Sequence, residues 1–307
     1  MFVKTLGPKT GYAELSLAQL CLSINIIFGK MLAPIYPIAG LLFLRFFIGF
    51  SIIAIYLVLS PVEIYSEIKK MRKTEWLILF LKALCGGFLF NILTLYGLQY
   101  TTATQTSIMN STLPAFVALF SFLILKEVLT KRKILSIGLS VFGILLLSIR
   151  DVALPDESEL YGLFFVFLAL IPGSLFTIFS KMINASLKPL TAVMLMNLIN
   201  TFFFLPLMLR EECALFYTTS IVEWLKIFIY SISGSLLFFI FWYRGIARTT
   251  ASTASLFIGI TPISTGLFAY FFLPEPLSIF DLFGMLCVIA SIFIGALQPS
   301  FLRSQRA

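Results

Sequence analysis

Residues 97–129 read GLQYTTATQTSIMNSTLPAFVALFSFLILKEVL, and residues 245–277 read GIARTTASTASLFIGITPISTGLFAYFFLPEPL. The two stretches align without a gap at a constant offset of 148. Identities fall at Gly97/Gly245, Thr101/Thr249, Thr102/Thr250, Ala103/Ala251, Ser107/Ser255, Pro114/Pro262, Leu119/Leu267, Phe120/Phe268, Leu125/Leu273, Glu127/Glu275 and Leu129/Leu277, 11 of 33 positions. Each copy has a start rich in small residues, an apolar body, one proline near mid-span and a Glu-x-Leu exit. Compositional bias gives scattered matches but does not readily set both prolines and both glutamates in register. A duplicated unit therefore organises the chain.

The match extends outward. Asn25–Lys30 (NIIFGK) resembles Thr177–Lys181 (TIFSK), and Pro37 to Arg45 matches Pro189 to Asn197 at an offset of 152. Composition says what solvent the unit is built for. The 307 residues are 60% hydrophobic and only 12% charged, with mean hydropathy +1.03. A soluble domain carries about 25% charged residues. So little polar surface fits lipid, not water. The net charge of +8 sits in short loops between apolar spans, which reads as membrane topology and not as a nucleic-acid patch.

Ten windows have the length and apolarity of a membrane helix: 12–33, 38–60, 74–96, 101–125, 132–150, 160–181, 189–210, 222–243, 250–273 and 278–297. The first is read as an uncleaved membrane helix, since no small-residue cleavage site follows it. The expected fold is an all-α membrane protein with ten transmembrane helices, arranged as two five-helix repeats at 12–150 and 160–297. Five is odd, so the second repeat enters from the opposite side and the two are inverted. With the N-terminus inside, sixteen Lys and Arg fall in inner loops against four outside. Both termini are then cytoplasmic. Inverted five-helix repeats are an architecture of secondary transporters, with the substrate at the repeat interface near mid-membrane.

YGLQYTTATQTSIMNSTLPAF with LKEVLTKRKILSIGLSVFGILLL in the first half, YRGIARTTASTASLFIGITPISTGLFAYFFLPEPLSIFDLFGMLCVIAS in the second, and FLRFF around Arg45 resemble the drug/metabolite transporter (DMT) superfamily, specifically its EamA-type ten-helix transporters. The resemblance covers roughly 12–297. It implies a bundle of inverted halves that moves small polar metabolites such as amino acids, sugars or nucleotide-like compounds. Pro274-Glu275-Pro276 departs from it, since the family more often has Gly before the Glu.

Candidate site residues follow from depth and polarity. Arg45 lies about seven residues, roughly 10 Å, into its helix, where a charge is a functional candidate by default. A helix-to-helix hydrogen bond is the competing reading. Asn25, Asn91, Gln105, Asn110, Asn197 and Asn200 are amides inside spans; they face protein or water, as helix-to-helix contacts or as the walls of a polar cavity. Asn197 occupies the repeat position of Arg45. Pro114 and Pro262 mark kinks, read either as structural alone or as bends that flank the cavity and serve as hinges. Lys82 is read as snorkelling to the nearer interface. Glu127 and Glu275 are read as helix-end caps or charge partners.

The chain has no histidine, so the usual zinc ligand and His relay are absent from it. Its four cysteines are scattered and fit small apolar packing. No metal, no cofactor and no catalytic residue is expected, nor a phosphate-binding ATPase loop. No carboxylate lies deep in a span, which favours facilitated diffusion or exchange over proton coupling. The expected function is a secondary carrier for a zwitterionic or anionic metabolite in the cell (inner) membrane, working as a monomer or weak homodimer. A lipid-linked-sugar flippase is the alternative. A membrane-embedded transferase is less favoured because it would call for a reactive cluster, and a channel because it would call for a ring of like charges.

Overall fold

The computed structural model describes residues 8–59, 64–110, 112–127, 130–148, 157–183, 188–211, 216 and 219–273, with single positions between 283 and 294. The Pro274–Pro276 corner with Glu275, Cys213 and most of the window at 278–297 lie outside these residues. Among the described residues every regular element is helical. Seven helical stretches are long and apolar enough to cross a membrane. They coincide with seven of the ten windows. The window at 132–150 corresponds to α8, Lys131–Ser148.

Helices α1 (Pro8–Leu32) and α2 (Ile38–Leu59) open the chain. A short α3 (Ile64–Lys69) leads to one long span made of α4 (Lys73–Lys82), a π-turn (Ala83–Leu89) and α5 (Phe90–Tyr100). The window at 101–125 is not one kinked helix. It is two, α6 (Ala103–Asn110) and α7 (Leu113–Leu125), and Pro114 stands in the first turn of the second. Proline lacks the N–H that an interior position needs, but a first turn has no partner for that N–H anyway. The break therefore relieves what a kink would strain.

The second half follows with α9 (Glu157–Ile183), α10 (Pro189–Met208), α11 (Ile221–Ser231), a second π-turn (Ile232–Leu237), α12 (Phe238–Ala247), α13 (Ala251–Leu256), a 3-10 turn (Phe257–Gly259) and α14 (Ile260–Phe272). Pro262 is the third residue of α14, directly after the 3-10 turn. Both repeat prolines thus sit where a span changes its winding. Large apolar side chains cover the outside, Val58, Leu59 and Ile221 each being more than four-fifths exposed, as expected where lipid is the solvent.

The contacts repeat with the sequence. The π-turns close through Phe90 N–H to the Cys85 carbonyl and Phe238 N–H to the Ser233 carbonyl, residues 148 apart. Lys30 Nζ donates to the carbonyls of Leu98 (3.0 Å) and Thr101 (2.7 Å). Its repeat partner Lys181 donates to those of Ile246 (3.2 Å) and Thr249, again 148 further on. In both halves a lysine from the first helix covers the carbonyl end of the third.

Helices α2 and α10 form the most extensive pair. Glu211, just after α10, accepts from the amides of Ala39 (3.2 Å) and Gly40 (2.9 Å) at the start of α2. Glu67, after α2, pairs with Lys188 and accepts from Thr191 Oγ1 (2.9 Å) at the start of α10. The end of each helix therefore lies beside the beginning of the other, and the pair is antiparallel. The equivalent helices of the two halves run in opposite senses, as an inverted repeat requires.

Candidate functional site

The site forms where the two π-turns face the first two helices. A π-turn inserts one residue and leaves a backbone carbonyl without its usual helical partner. Side-chain amides fill these vacancies. Asn91 Nδ2 donates to the carbonyls of Gly86 (2.7 Å) and Gly87 (2.8 Å) in the first π-turn. Asn197 Nδ2 donates to the Ser235 carbonyl (2.9 Å) in the second. Just before that turn, Asn25 Nδ2 donates to the Tyr230 carbonyl (2.8 Å).

Held in this way, Asn91 turns its Oδ1 toward Arg45, which donates to it from Nη1 at 2.6 Å. Arg45 Nε donates to Ser235 Oγ (3.2 Å), and Nη1 also reaches the Tyr230 hydroxyl (3.4 Å). The guanidinium lies 5.2 Å from the Tyr230 ring centre and 5.3 Å from that of Phe46. Arg45 is 3% exposed, and no carboxylate among the described residues pairs with it. The approach depends on Gly234, where a Cβ would stand 2.6 Å from Nη2 and would also strike Asn25.

A cavity opens beside the guanidinium. It is lined by Arg45, Asn25, Asn91, Thr94, Asn110 and Tyr230 and closed by Leu22, Ile26, Gly29, Phe90, Leu95 and Leu98. Its volume is about 20 Å³, enough for a water and far below a metabolite. Three groups on its wall have bonding capacity left. Arg45 Nη2 makes no hydrogen bond to the described residues. Asn110 Oδ1 and Thr94 Oγ1 are buried without a partner. An occupant with an acceptor toward Arg45 and a donor toward Asn110 completes the set.

The structure thus gathers Arg45, Asn25, Asn91 and Asn110 around one cavity, and Asn197 joins them through Ser235. Gln105 is not part of this group. It accepts from the Thr102 amide (3.1 Å) and bonds Thr101 and Glu159, so it ties α6 to the start of α9. Its depth in the sequence does not put it in the centre. Asn200 donates to the Met196 carbonyl (2.8 Å) and packs on Gly87. Lys82 does not snorkel: it is fully buried, and its Nζ lies 4.1 Å from the Tyr243 ring centre. Tyr230, Ser235 and Thr94 escape a reading based on amides and charges. The signal that finds them is Gly86/Gly234, a glycine pair at the repeat offset inside both π-turns.

Around Pro262 a polar seam joins α1 to α14: Thr261 Oγ1 donates to Gln19 Oε1 (2.9 Å), and the Ser23 and Ser264 hydroxyls lie 2.6 Å apart. Glu127 acts as a cap, and across the two halves. Its carboxylate accepts from the amides of Ala251 (3.1 Å) and Ser252 (3.4 Å) and from Ser252 Oγ (2.7 Å) at the start of α13. Glu14, close to that junction, pairs with Arg244 (2.8 Å) and Arg248.

A family model described as the EamA-like transporter family matches residues 9–149 and again 160–296. The chain belongs to the EamA-like transporter family. Among curated relatives of this EamA-like chain, the uncharacterized transporter YetK of Bacillus subtilis (strain 168) is 27% identical over 290 residues, covering 94% of this chain and 87% of its own. An uncharacterized transporter of Archaeoglobus fulgidus is 24% identical over 268 residues, covering 86% and 89%. A solved structure described only as "Crystal structure of protein" superposes with a TM-score of 0.69 at 14% identity, over 95% of this chain and 99% of that one. It bears on the fold alone. The chain is thus a multi-pass membrane protein of a transporter family.

Proposed function

We propose that this EamA-like chain is a secondary carrier that moves a small zwitterionic or anionic metabolite, of amino-acid or nucleotide-like type, by alternating access. Transport is by facilitated diffusion or exchange across the cell (inner) membrane. The halves 12–150 and 160–297 are the two moving modules, both termini are cytoplasmic, and the working unit is a monomer or weak homodimer. The observation that carries this reading is the unspent bonding capacity around the cavity, a guanidinium N–H on one wall and amide and hydroxyl oxygens on another. The cavity's small size fits a conformation between open states, in which the site is closed around water. Pro114 and Pro262 stand at breaks in spans, where rotation needs few hydrogen bonds to change.

Counterflow in liposomes loaded with a panel of amino acids, organic acids and nucleotides tests the reading. The expected result is accelerated uptake of one class, lost in Arg45→Ala. Counterflow of none, with protein shown to be folded, would exclude a metabolite carrier.

A further inference from the structure

We infer that the transported metabolite is an anion, and that Lys82 is a second binding residue for it, the counterpart of Arg45 in the opposite-facing arrangement of the bundle. The inference deepens the carrier reading above and rests on it.

Lys82 is 0% exposed, and its Nζ has no hydrogen-bond partner. Among the described residues it lies against the face of Tyr243, at 4.1 Å. A ring face attracts a cation but offers no acceptor for three N–H groups. A buried charge left in that state is costly unless something pairs with it.

The repeat shows what that something is. At the 148 offset Lys82 corresponds to Tyr230, and at the 152 offset Asn197 corresponds to Arg45. Arg45 and Lys82 belong to the first half, Asn197 and Tyr230 to the second, so the cation–ring pair Arg45/Tyr230 that spans the halves has the pair Asn197/Lys82 as its repeat mate. Arg45 stacks on Tyr230 at 5.2 Å. At the repeat-mate positions the Asn197 Oδ1 and the Lys82 Nζ are both buried without a hydrogen-bond partner among the described residues. An inverted repeat exchanges the environments of its halves as it switches, so the space at Arg45 in one state has its equivalent beside Lys82 in the other.

Charge balance fixes the class of ligand. The described carboxylates lie at or near the ends of helices, and none bonds Arg45 or Lys82. Among the described residues Arg45 and Lys82 have no carboxylate partner; an occupant with net negative charge supplies one, and a zwitterion brings none. Carboxylate and phosphate both satisfy the donors, as a free metabolite rather than a lipid headgroup, because Lys82 is sealed from the lipid side.

Heat-stability of the purified chain tests this, with succinate, inorganic phosphate and, as the net-neutral control, alanine. Wild type, Lys82→Arg and Lys82→Gln are compared. Succinate or phosphate is expected to raise the Tm of wild type and of Lys82→Arg, and alanine is not. Lys82→Gln should need about tenfold or more anion for the same shift. Where the Gln variant misfolds, Lys82→Met replaces it, since an apolar residue is tolerated in place of a buried charge. An equal shift with alanine, no shift with either anion, or a full anion response without Lys82 overturns the inference. So does a Lys82-dependent shift produced by phosphatidylglycerol instead of the soluble anions. Counterflow of wild type judges the carrier reading separately: a carrier of zwitterions would keep that reading and sink this one.

Discussion

Arg45 joins the halves through Ser235 and Tyr230 and holds Asn91 within its own half, and in the proposed carrier it keeps Nη2 for the ligand. Truncation removes both functions. Arg45→Ala is expected to lower counterflow about tenfold or more, because Asn91 and Ser235 also lose their buried partner. Arg45→Lys keeps the charge without the planar fork, so uptake should fall between the two. Gly234→Ala tests position without touching charge. Its Cβ would enter the space of the guanidinium, and overpacking of that kind costs about 1–3 kcal/mol, read as a lower Tm together with weaker uptake. Lys126, which ends α7 at φ 54°, is the one non-glycine residue with positive φ among those described. Lys126→Gly should raise stability by up to about 1 kcal/mol, measured as Tm. Depth along a span singled out Arg45, Asn25, Asn91 and Asn110, and the structure brings these four to one cavity. The same rule misplaced Gln105 and Lys82, because depth does not say which way a helix face turns. An amide bonded to its own turn and a lysine folded onto a ring look the same in sequence as their cavity-lining equivalents.

At the level of helices, the apolar spans were legible and the irregular turns within them were not. Hydrophobic periodicity is nearly blind inside lipid, where all faces are apolar. The two π-turns left only the faint trace of Gly86 and Gly234 in register. Pro114 announced a disturbance, but a proline signals equally a kink or a new beginning, and here the helix begins again. Asn91 ties these features together by satisfying the Gly86 and Gly87 carbonyls. Asn91→Leu should orphan both and cost about 1–3 kcal/mol, seen in Tm. Glu127 joins the end of α7 to the start of α13 in the other half. Glu127→Ala removes that cap, and a loss of about 1 kcal/mol is expected by the same measurement.

The molecule as a whole is the part most plainly written in the chain, because a repeat imposes its pattern on every contact that follows it. The carbonyls bonded by the lysine clamps and the closing bonds of the π-turns recur at the offset of 148 that the sequence shows. What the sequence could not show is where the copies part company. Asn197 stands at the repeat position of Arg45 and Tyr230 at that of Lys82, so the frame is duplicated while its charges are not. Reporter tags on both ends of the chain should appear on the same, cytoplasmic face; tags on opposite faces would contradict an even number of crossings. The reciprocal carboxylates at the starts of α2 and α10 carry a mechanical consequence. Neither rod can slide along its neighbour by a turn without uncapping both, at about 1 kcal/mol each. In the proposed cycle the two would behave as one axle about which the rest of each half swings. Spin labels on α2 and α10 should keep a fixed separation through the cycle, while labels on α7 and α14 change theirs.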